Sequence, residues 1–301
     1  MSLTPSETGQ PGSPPQARRR AAWWRGAWWG VVPFWVFVGI FLVVPTLVVT
    51  IGAFLDADGR PTLANVEALR QGYVVDALVA TLELSAVTAV IGAVVGGLLS
   101  YAVVTAKPDG LLRRVVTSAC GVLAQFGGVT LAFAFLATVG AQGLITLWLS
   151  RHVGIDVPLS LLYSLKGLGL VYSYFQIPLM VIVFLPALDG VRPQWREATE
   201  SLGGSTWQYW RHVAGPLLLP SFLGSLLLLF ANAFAAYATA AALVSQGSPI
   251  LPLVVRATFT SEVVLGQANF GKALALAMVV VVAIVMSLYA WLQRRTSRWV
   301  R

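Results

Sequence analysis

The side chains able to do chemistry in this sequence are few, and most stand alone inside apolar runs. Glu83 is an isolated carboxylate in LVATLELSAVTAV, and Gln125 ends GVLAQ. Tyr172, Tyr174 and Gln176 fall together in YSYFQIP, and Asn232 and Tyr237 in FANAFAAYATAAAL. A polar group inside a lipid-length apolar run is costly unless it finds a partner. Each of these residues therefore either solvates a passing solute or bonds one helix to its neighbour. They are the candidate lining of a path. Glu83 could draw a cation to such a path or reach to the nearer surface. Pro178 is placed to bend the run near Gln176.

Covalent and metal chemistry find no support. No GxxxxGK[ST] phosphate loop occurs, so the chain is not expected to hydrolyse ATP. GAVVGG (residues 92–97) lacks the lysine and reads as small-residue packing between helices. His152 and His212 each lack a second histidine, which argues against a metal at either. Cys120 is the single cysteine, which excludes an internal disulfide and any cysteine cluster. No cofactor is expected on this chain.

The polar groups need elements to hold them. The chain is 57% hydrophobic and only 11% charged, against roughly 25% charged in a soluble domain. That balance belongs to a protein whose surface faces lipid. The net charge of +8 comes from short segments between apolar runs. No basic face with interleaved aromatics suggests nucleic acid. Residues 1–25 form a polar tail expected to be disordered and cytoplasmic. The apolar run that follows continues uncharged to Leu55, too long for a cleaved signal core, and reads as a retained first span anchored by Trp23, Trp24, Trp28 and Trp29.

Spans of about 20 apolar residues are predicted near 31–54, 77–105, 115–139, 167–188, 217–243 and 271–292. A partly buried surface segment is expected at 142–164, and a basic cytoplasmic tail at 293–301. The transmembrane domain is thus 26–292. Continuous apolar runs, without alternation, make the fold all-α and not a barrel. Six spans put both termini on one side. That side holds 14 of the 20 basic residues: Arg18, Arg19, Arg20, Arg25, Lys107, Arg113, Arg114, Arg192, Arg196, Arg211, Arg294, Arg295, Arg298 and Arg301. The positive-inside rule places the termini and the loop between spans four and five in the cytoplasm.

That loop is REATESLGGSTWQYWRHVAGPLLLP (196–220). Pro193 suits a first helical turn, and Glu197 and Glu200 suit the positive end of the helix dipole. Gly203 and Gly204 stop the helix. Ser205 with Gln208 three residues on is a capping box for a second short helix, on which Trp207, Trp210 and Val213 are expected to share a side. Pro216 and Pro220 are expected to mark the turn into span five. Two capped helices at a glycine corner make a rigid knob, not a tether.

In Glu197, Ala198, Gly203, Val213 and Pro216 the loop resembles the cytoplasmic EAA loop of six-span, binding-protein-dependent ABC importer permeases. Thr199 and Gly215 stand where alanine and leucine are usual in that pattern. The resemblance implies a type I importer permease of a bacterial or archaeal plasma (inner) membrane. It implies a coupling role for Glu197, Ala198, Gly203, Gly204, Ser205, Val213 and Pro216, which would either contact a separate ATPase or orient the local helices. It also implies two ABC ATPase subunits using ATP and Mg, a second permease (a different chain or a copy) and an extracellular or lipid-anchored solute-binding protein. Phrasing around the loop and span five is similar to the spermidine/putrescine, iron and thiamine branch, with polyamine-type small molecules nearest. The alternative is an independent secondary transporter, which calls for inverted repeats and a coupling-ion site that the sequence does not display.

Overall fold

A computed structural model describes residues 31–106, 110–154, 158, 162–244, 250–260 and 268–297. The predicted tail 1–25, its tryptophan anchor and the last four residues lie outside these. Among the described residues six stretches are long and apolar enough to cross a membrane: Val31–Gly52, Gly72–Thr105, Gly128–His152, Leu165–Asp189, Thr206–Ala235 and Asn269–Leu292. No strand occurs among the described residues beyond one isolated bridge, Leu55 to Pro61.

The chain divides into two compact units at Ile51–Gly52. The first holds all but the last residue of helix α1 (Val31–Gly52), which widens into a π turn at Gly39–Val43. Pro45 follows that turn and lacks the N–H that a regular helix would direct back one turn.

The second unit is built on α2 (Gly72–Thr105) and α6 (Leu165–Asp189). At 34 residues α2 is roughly 51 Å long, more than the hydrocarbon layer needs. Its glycines set the contact with α6. A Cβ on Gly92 would lie 2.6 Å from the Gln176 Cβ, and one on Gly96 would lie 2.6 Å from the Ile177 carbonyl oxygen. GAVVGG is therefore a helix-packing surface. Buried hydroxyls on α2 are satisfied along the same helix: Ser85 donates to the Thr81 carbonyl at 2.6 Å, Thr88 to Leu84 at 2.8 Å and Ser100 to Gly96 at 2.7 Å. Because these bonds are internal, the apolar face of α2 stays intact.

Helix α8 (Thr206–Ala235) completes the core. Gln176 of α6 donates its Nε2 to the Leu229 carbonyl at 2.9 Å. Helix α3 (Leu111–Gln125) lies along α6, and Arg113 near its start is bonded to Asp189 at the end of α6 at 2.6 Å. Then come α4 (Gly128–Val139), α5 (Leu144–His152), α7 (Pro193–Ser201), α9 (Ala238–Leu243), α10 (Leu251–Thr260) and α11 (Ala268–Ser297). Helix α10 is tied to α2 by the Leu251 N–H donating to Thr81 Oγ1 at 2.8 Å. Helix α11 is anchored by Asn269, whose Nδ2 donates to the Asp56 carbonyl at 3.0 Å.

Two predicted spans differ. The span expected at 115–139 is a helix from Leu111 interrupted at Phe126–Gly127, with Gly128 at φ +70°. The uncharged run from Val115 to Ser150 gave no charge to mark the interruption, and the segment expected on the surface contains α5. The span expected at 217–243 starts earlier, at Thr206, and breaks at Ala236–Tyr237. Pro216 does not turn the chain. It sits in the first turn of the segment Gly215–Ala235, which a π turn at Trp210–Ala214 joins to the helix before it.

Candidate functional site

The loop between α6 and α8 is built by local bonding. Pro193 occupies the first turn of α7. At the other end Gly203 adopts φ +76°. Its N–H donates to the Glu200 carbonyl at 3.0 Å, and that of Gly204 to Thr199 at 2.9 Å. This pair of bonds is a Schellman motif, which satisfies carbonyls that the helix end would leave open. The next residue starts the next helix. Ser205 N–H donates to Gln208 Oε1 at 2.7 Å and Ser205 Oγ accepts from Gln208 N–H at 3.3 Å, a complete capping box. The corner is thus closed on both sides, with one glycine in the left-handed region. Thr199, where alanine is usual, turns its hydroxyl back to the Trp195 carbonyl at 2.8 Å. It therefore adds no unsatisfied group to the surface.

The second helix of the loop is not a separate piece; it is the first turn of α8. Trp207, Trp210 and Val213 do not share one side. Trp207 is 70% exposed, whereas Trp210 packs edge-on against Tyr101 with ring centroids 5.4 Å apart, and Val213 is half-buried. The π turn over Trp210–Ala214 inserts a residue and shifts the register expected of a regular helix. Leu202, at the corner, is 89% exposed. The sequence reading missed it, although an apolar residue just before a double glycine was the available signal. Glu197 and Ala198 are exposed on α7. Arg196 pairs with Glu200 at 2.9 Å, while Glu197 makes no ion pair among the described residues.

The second feature is where the two broken helices meet. A cavity of about 270 Å³ is lined by Ala124, Gly127, Gly128, Phe175, Asn232, Ala235, Ala236, Tyr237, Ala238 and Thr239. Thr239 Oγ1 donates to the Gly128 carbonyl at 3.2 Å and Tyr172 OH donates to the Ala236 carbonyl at 2.5 Å. Each break thereby has a carbonyl satisfied by a hydroxyl from elsewhere. Irregular backbone at membrane depth is tolerated where protein or water meets it. Asn232 is exposed here, although it lies in a largely apolar stretch of its helix. An amide facing lipid at this depth would be costly, so this face fits contact with water or with protein.

The six candidate path residues do not lie together. Asn232 and Tyr237 line the cavity, whereas Gln125 is exposed and is not one of its lining residues, although Ala124 beside it is. Tyr172 and Gln176 are fully buried and bonded to α8 or its continuation; they lie behind the cavity, among packed helices. Glu83 lines a different hollow, of about 820 Å³, with Lys166 and otherwise largely apolar neighbours. Among the described residues no cluster of three His, Cys, Asp or Glu occurs. His152 stacks on Trp148, and His212 Nδ1 lies 3.1 Å from the Gln208 carbonyl.

Among the described residues, six helices long and apolar enough to cross a membrane, with a capped polar loop and broken helices around a cavity, define a multi-pass helical membrane protein. Residues 145–300 match the family described as the binding-protein-dependent transport system inner membrane component, just over half the chain, and the protein belongs to that family. Its curated relatives are named as permeases of ferric, sulfate, thiamine and molybdenum transport systems. A ferric transport system permease protein of Haemophilus influenzae is 26% identical over 206 residues, 66% of this chain and 31% of the relative. The chain thus spans about a third of the length of the first relatives it matches. A sulfate transport system permease of Synechocystis sp. is 22% identical over 82% of this chain and 87% of its own length. Among solved structures, a bacterial ABC transporter involved in the import of the acidic polysaccharide alginate superposes with a TM-score of 0.71. It has 17% identity and covers 93% of this chain and 96% of that one. The fold is that of ABC importer permeases, and the protein is a multi-pass inner-membrane protein.

Proposed function

We propose that this chain is the permease subunit of an ATP-driven importer. It forms half of a translocation path for a small solute handed over by a binding protein on the outer side. Both termini and the 190–216 loop lie in the cytoplasm, in keeping with the distribution of basic residues. Two ATPase subunits, which use ATP and Mg, dock on the loop, and a second permease supplies the other half of the path.

The observation that carries this reading is the corner at Gly203, latched on one side by the Schellman bonds and on the other by the capping box. A loop fixed in this way transmits displacement; a soft one absorbs it. Leu202 and Trp207 give it apolar contact area, and Glu197 gives it a charge that has no ion pair among the described residues. The substrate classes named for the relatives favour a small solute of the ferric, sulfate, thiamine or molybdenum kind over a polyamine. The test is purification of the affinity-tagged chain from its native membrane. An ATPase subunit is expected to accompany it and to be lost on Leu202→Asp/Trp207→Asp, while the folded yield of the chain holds. Recovery of the chain without any ATPase, or undiminished recovery with the double variant, refutes docking at this loop.

A further inference from the structure

The hollow lined by Glu83 and Lys166 lies at a definite depth. Gly92 of α2 meets Gln176 of α6, and Gly96, one turn on, meets Met180, one turn on. The two helices therefore run in the same direction at matched heights. Nearer their starts, a Cβ on Gly169 would lie 3.5 Å from Leu84, the residue after Glu83. Glu83 is thus about level with Lys166, in the first turn of α6. Helix α6 has 25 residues, roughly 37 Å, against a hydrocarbon layer of about 30 Å. Its first turn is at a membrane surface, at the end opposite Asp189 and the loop. Glu83 is a headgroup-level carboxylate, although its sequence neighbours are apolar on both sides.

Below these two charges the hollow is apolar. Val87 and Ile91 of α2, Phe135 of α4, and Leu170 and Ile177 of α6 line it. Val87 and Leu170 are each 57% exposed. Thr88 and Ser173 on its wall donate their hydroxyls within their own helices, to the Leu84 and Gly169 carbonyls at 2.8 Å. From Lys166 to Ile177 the groove descends about 16 Å, half of the hydrocarbon layer and so the depth of one leaflet. Its volume of about 820 Å³ is in the range of sites that take an organic molecule. Glu83 and Lys166 are both exposed, and neither makes an ion pair among the described residues.

We propose that this hollow holds a zwitterionic phospholipid bearing a primary amine, of the phosphatidylethanolamine kind. The Glu83 carboxylate accepts from its ammonium, Lys166 pairs with its phosphate, and an acyl chain lies along Val87, Ile91, Leu170 and Ile177. The two charges select this occupant. An anionic glycerol headgroup satisfies Lys166 but sets a like charge beside Glu83. A choline headgroup brings a positive charge with no N–H, whereas an ammonium brings three donors. A protein helix would have to bring a base and an acid to the same height. On the topology proposed above, the lipid belongs to the outer leaflet. It also covers the seam between α6 and α4, where Tyr174 packs edge-on against Phe135 with ring centroids 5.7 Å apart. Helix α4 starts at Gly128, which lines the cavity at the breaks.

Photoactivatable lipids test this. The chain, assembled with its partners, is placed in phosphatidylcholine nanodiscs carrying a trace of phosphatidylethanolamine, phosphatidylcholine or phosphatidylglycerol with a diazirine on one acyl chain. Adducts are located by peptide mass spectrometry, and each lipid's yield is divided by its yield on α1. Adducts are expected at residues 87–91 and 170–177. The ethanolamine lipid is expected to exceed the glycerol lipid about two- to fivefold, as one partly screened ion pair implies, with the choline lipid between them. Glu83→Gln brings the ethanolamine and glycerol lipids level, and Lys166→Gln lowers both. Equal yields of the three lipids in the wild type, or a preference that Glu83→Gln leaves intact, overturns the proposal. The wild-type comparison decides even where a variant does not assemble. Adducts on α1 with none in the hollow overturn it as well, and crosslinking of Val87→Cys to a protein, in a Cys120→Ser background, then identifies the occupant as a helix.

Discussion

The corner at Gly203 allows a graded test, because no atom lies within 4 Å of the position a Cβ would take there. Any effect of substitution is then conformational and not steric. Gly203 holds φ +76°. For an ordinary L-residue that region costs roughly 1–2 kcal/mol, less for asparagine and most for a β-branched side chain. Against this stand the two Schellman bonds, at 3.0 and 2.9 Å, each worth about 1 kcal/mol net. Wild-type closure of about 2 kcal/mol keeps the corner set about thirty times as often as not. Gly203→Ala reduces that to roughly fivefold, and Gly203→Val to near parity. If the loop carries the stroke, uptake per ATP hydrolysed falls in the order glycine, asparagine, alanine, valine, reaching about half in the last. The assay is paired uptake and hydrolysis in vesicles holding the complete importer with its binding protein. Equal coupling in Gly203→Val and wild type, or asparagine as damaging as valine, refutes the reasoning.

Three further substitutions probe the bundle. Tyr172→Phe strands the Ala236 carbonyl, whose bond to the hydroxyl is 2.5 Å long; a loss of about 1–3 kcal/mol is expected, read as a lower melting temperature in detergent together with slower uptake. Gln176→Leu should be close to neutral in the same melt, within about 1 kcal/mol, because it removes one bond to Leu229 and also the unpartnered buried Oε1. Gly92→Val drives its side chain into Gln176 and Leu229, so α2 and α6 must separate at a cost of about 1–3 kcal/mol, measured as reduced folded yield by size-exclusion chromatography.

Much of the loop was legible because its determinants are local. Pro193, Gly203, Ser205 and Gln208 act within a few residues of one another, and each does in the structure what its chemistry requires. The exit from the loop was not. Pro216 is a helix breaker by type, but in the first turn of its segment its missing N–H matters little, and the π turn before it takes up the register change. The helix breaks at Phe126–Gly127 and Ala236–Tyr237 were hidden for another reason. They lie in uncharged runs where lipid and protein select the same residue types, so no charge marks a boundary; at the first break the double glycine Gly127–Gly128 was the available signal. The division among the polar residues was likewise not readable. Helix α6 is apolar nearly all round, and no periodicity shows which face is buried. Tyr172 and Gln176 could be placed behind the cavity, and Asn232 in front of it, only with the neighbouring helices present. GAVVGG was readable because glycines four residues apart in an apolar span, Gly92 and Gly96, put small residues on one helix face, which suits close helix packing.

Coupling through the loop requires direct contact between the corner and an ATPase. A single cysteine at Leu202, the most exposed large apolar residue of the corner, in a Cys120→Ser background, measures it by thiol-to-lysine crosslinking in native membranes. The expected result is an adduct with an ATPase subunit, absent from Leu63→Cys at the other end of the bundle, and no labelling of position 202 by impermeant reagents added to intact cells. Labelling of position 202 from outside, or an adduct-free Leu202→Cys in membranes that contain the assembled importer, contradicts it.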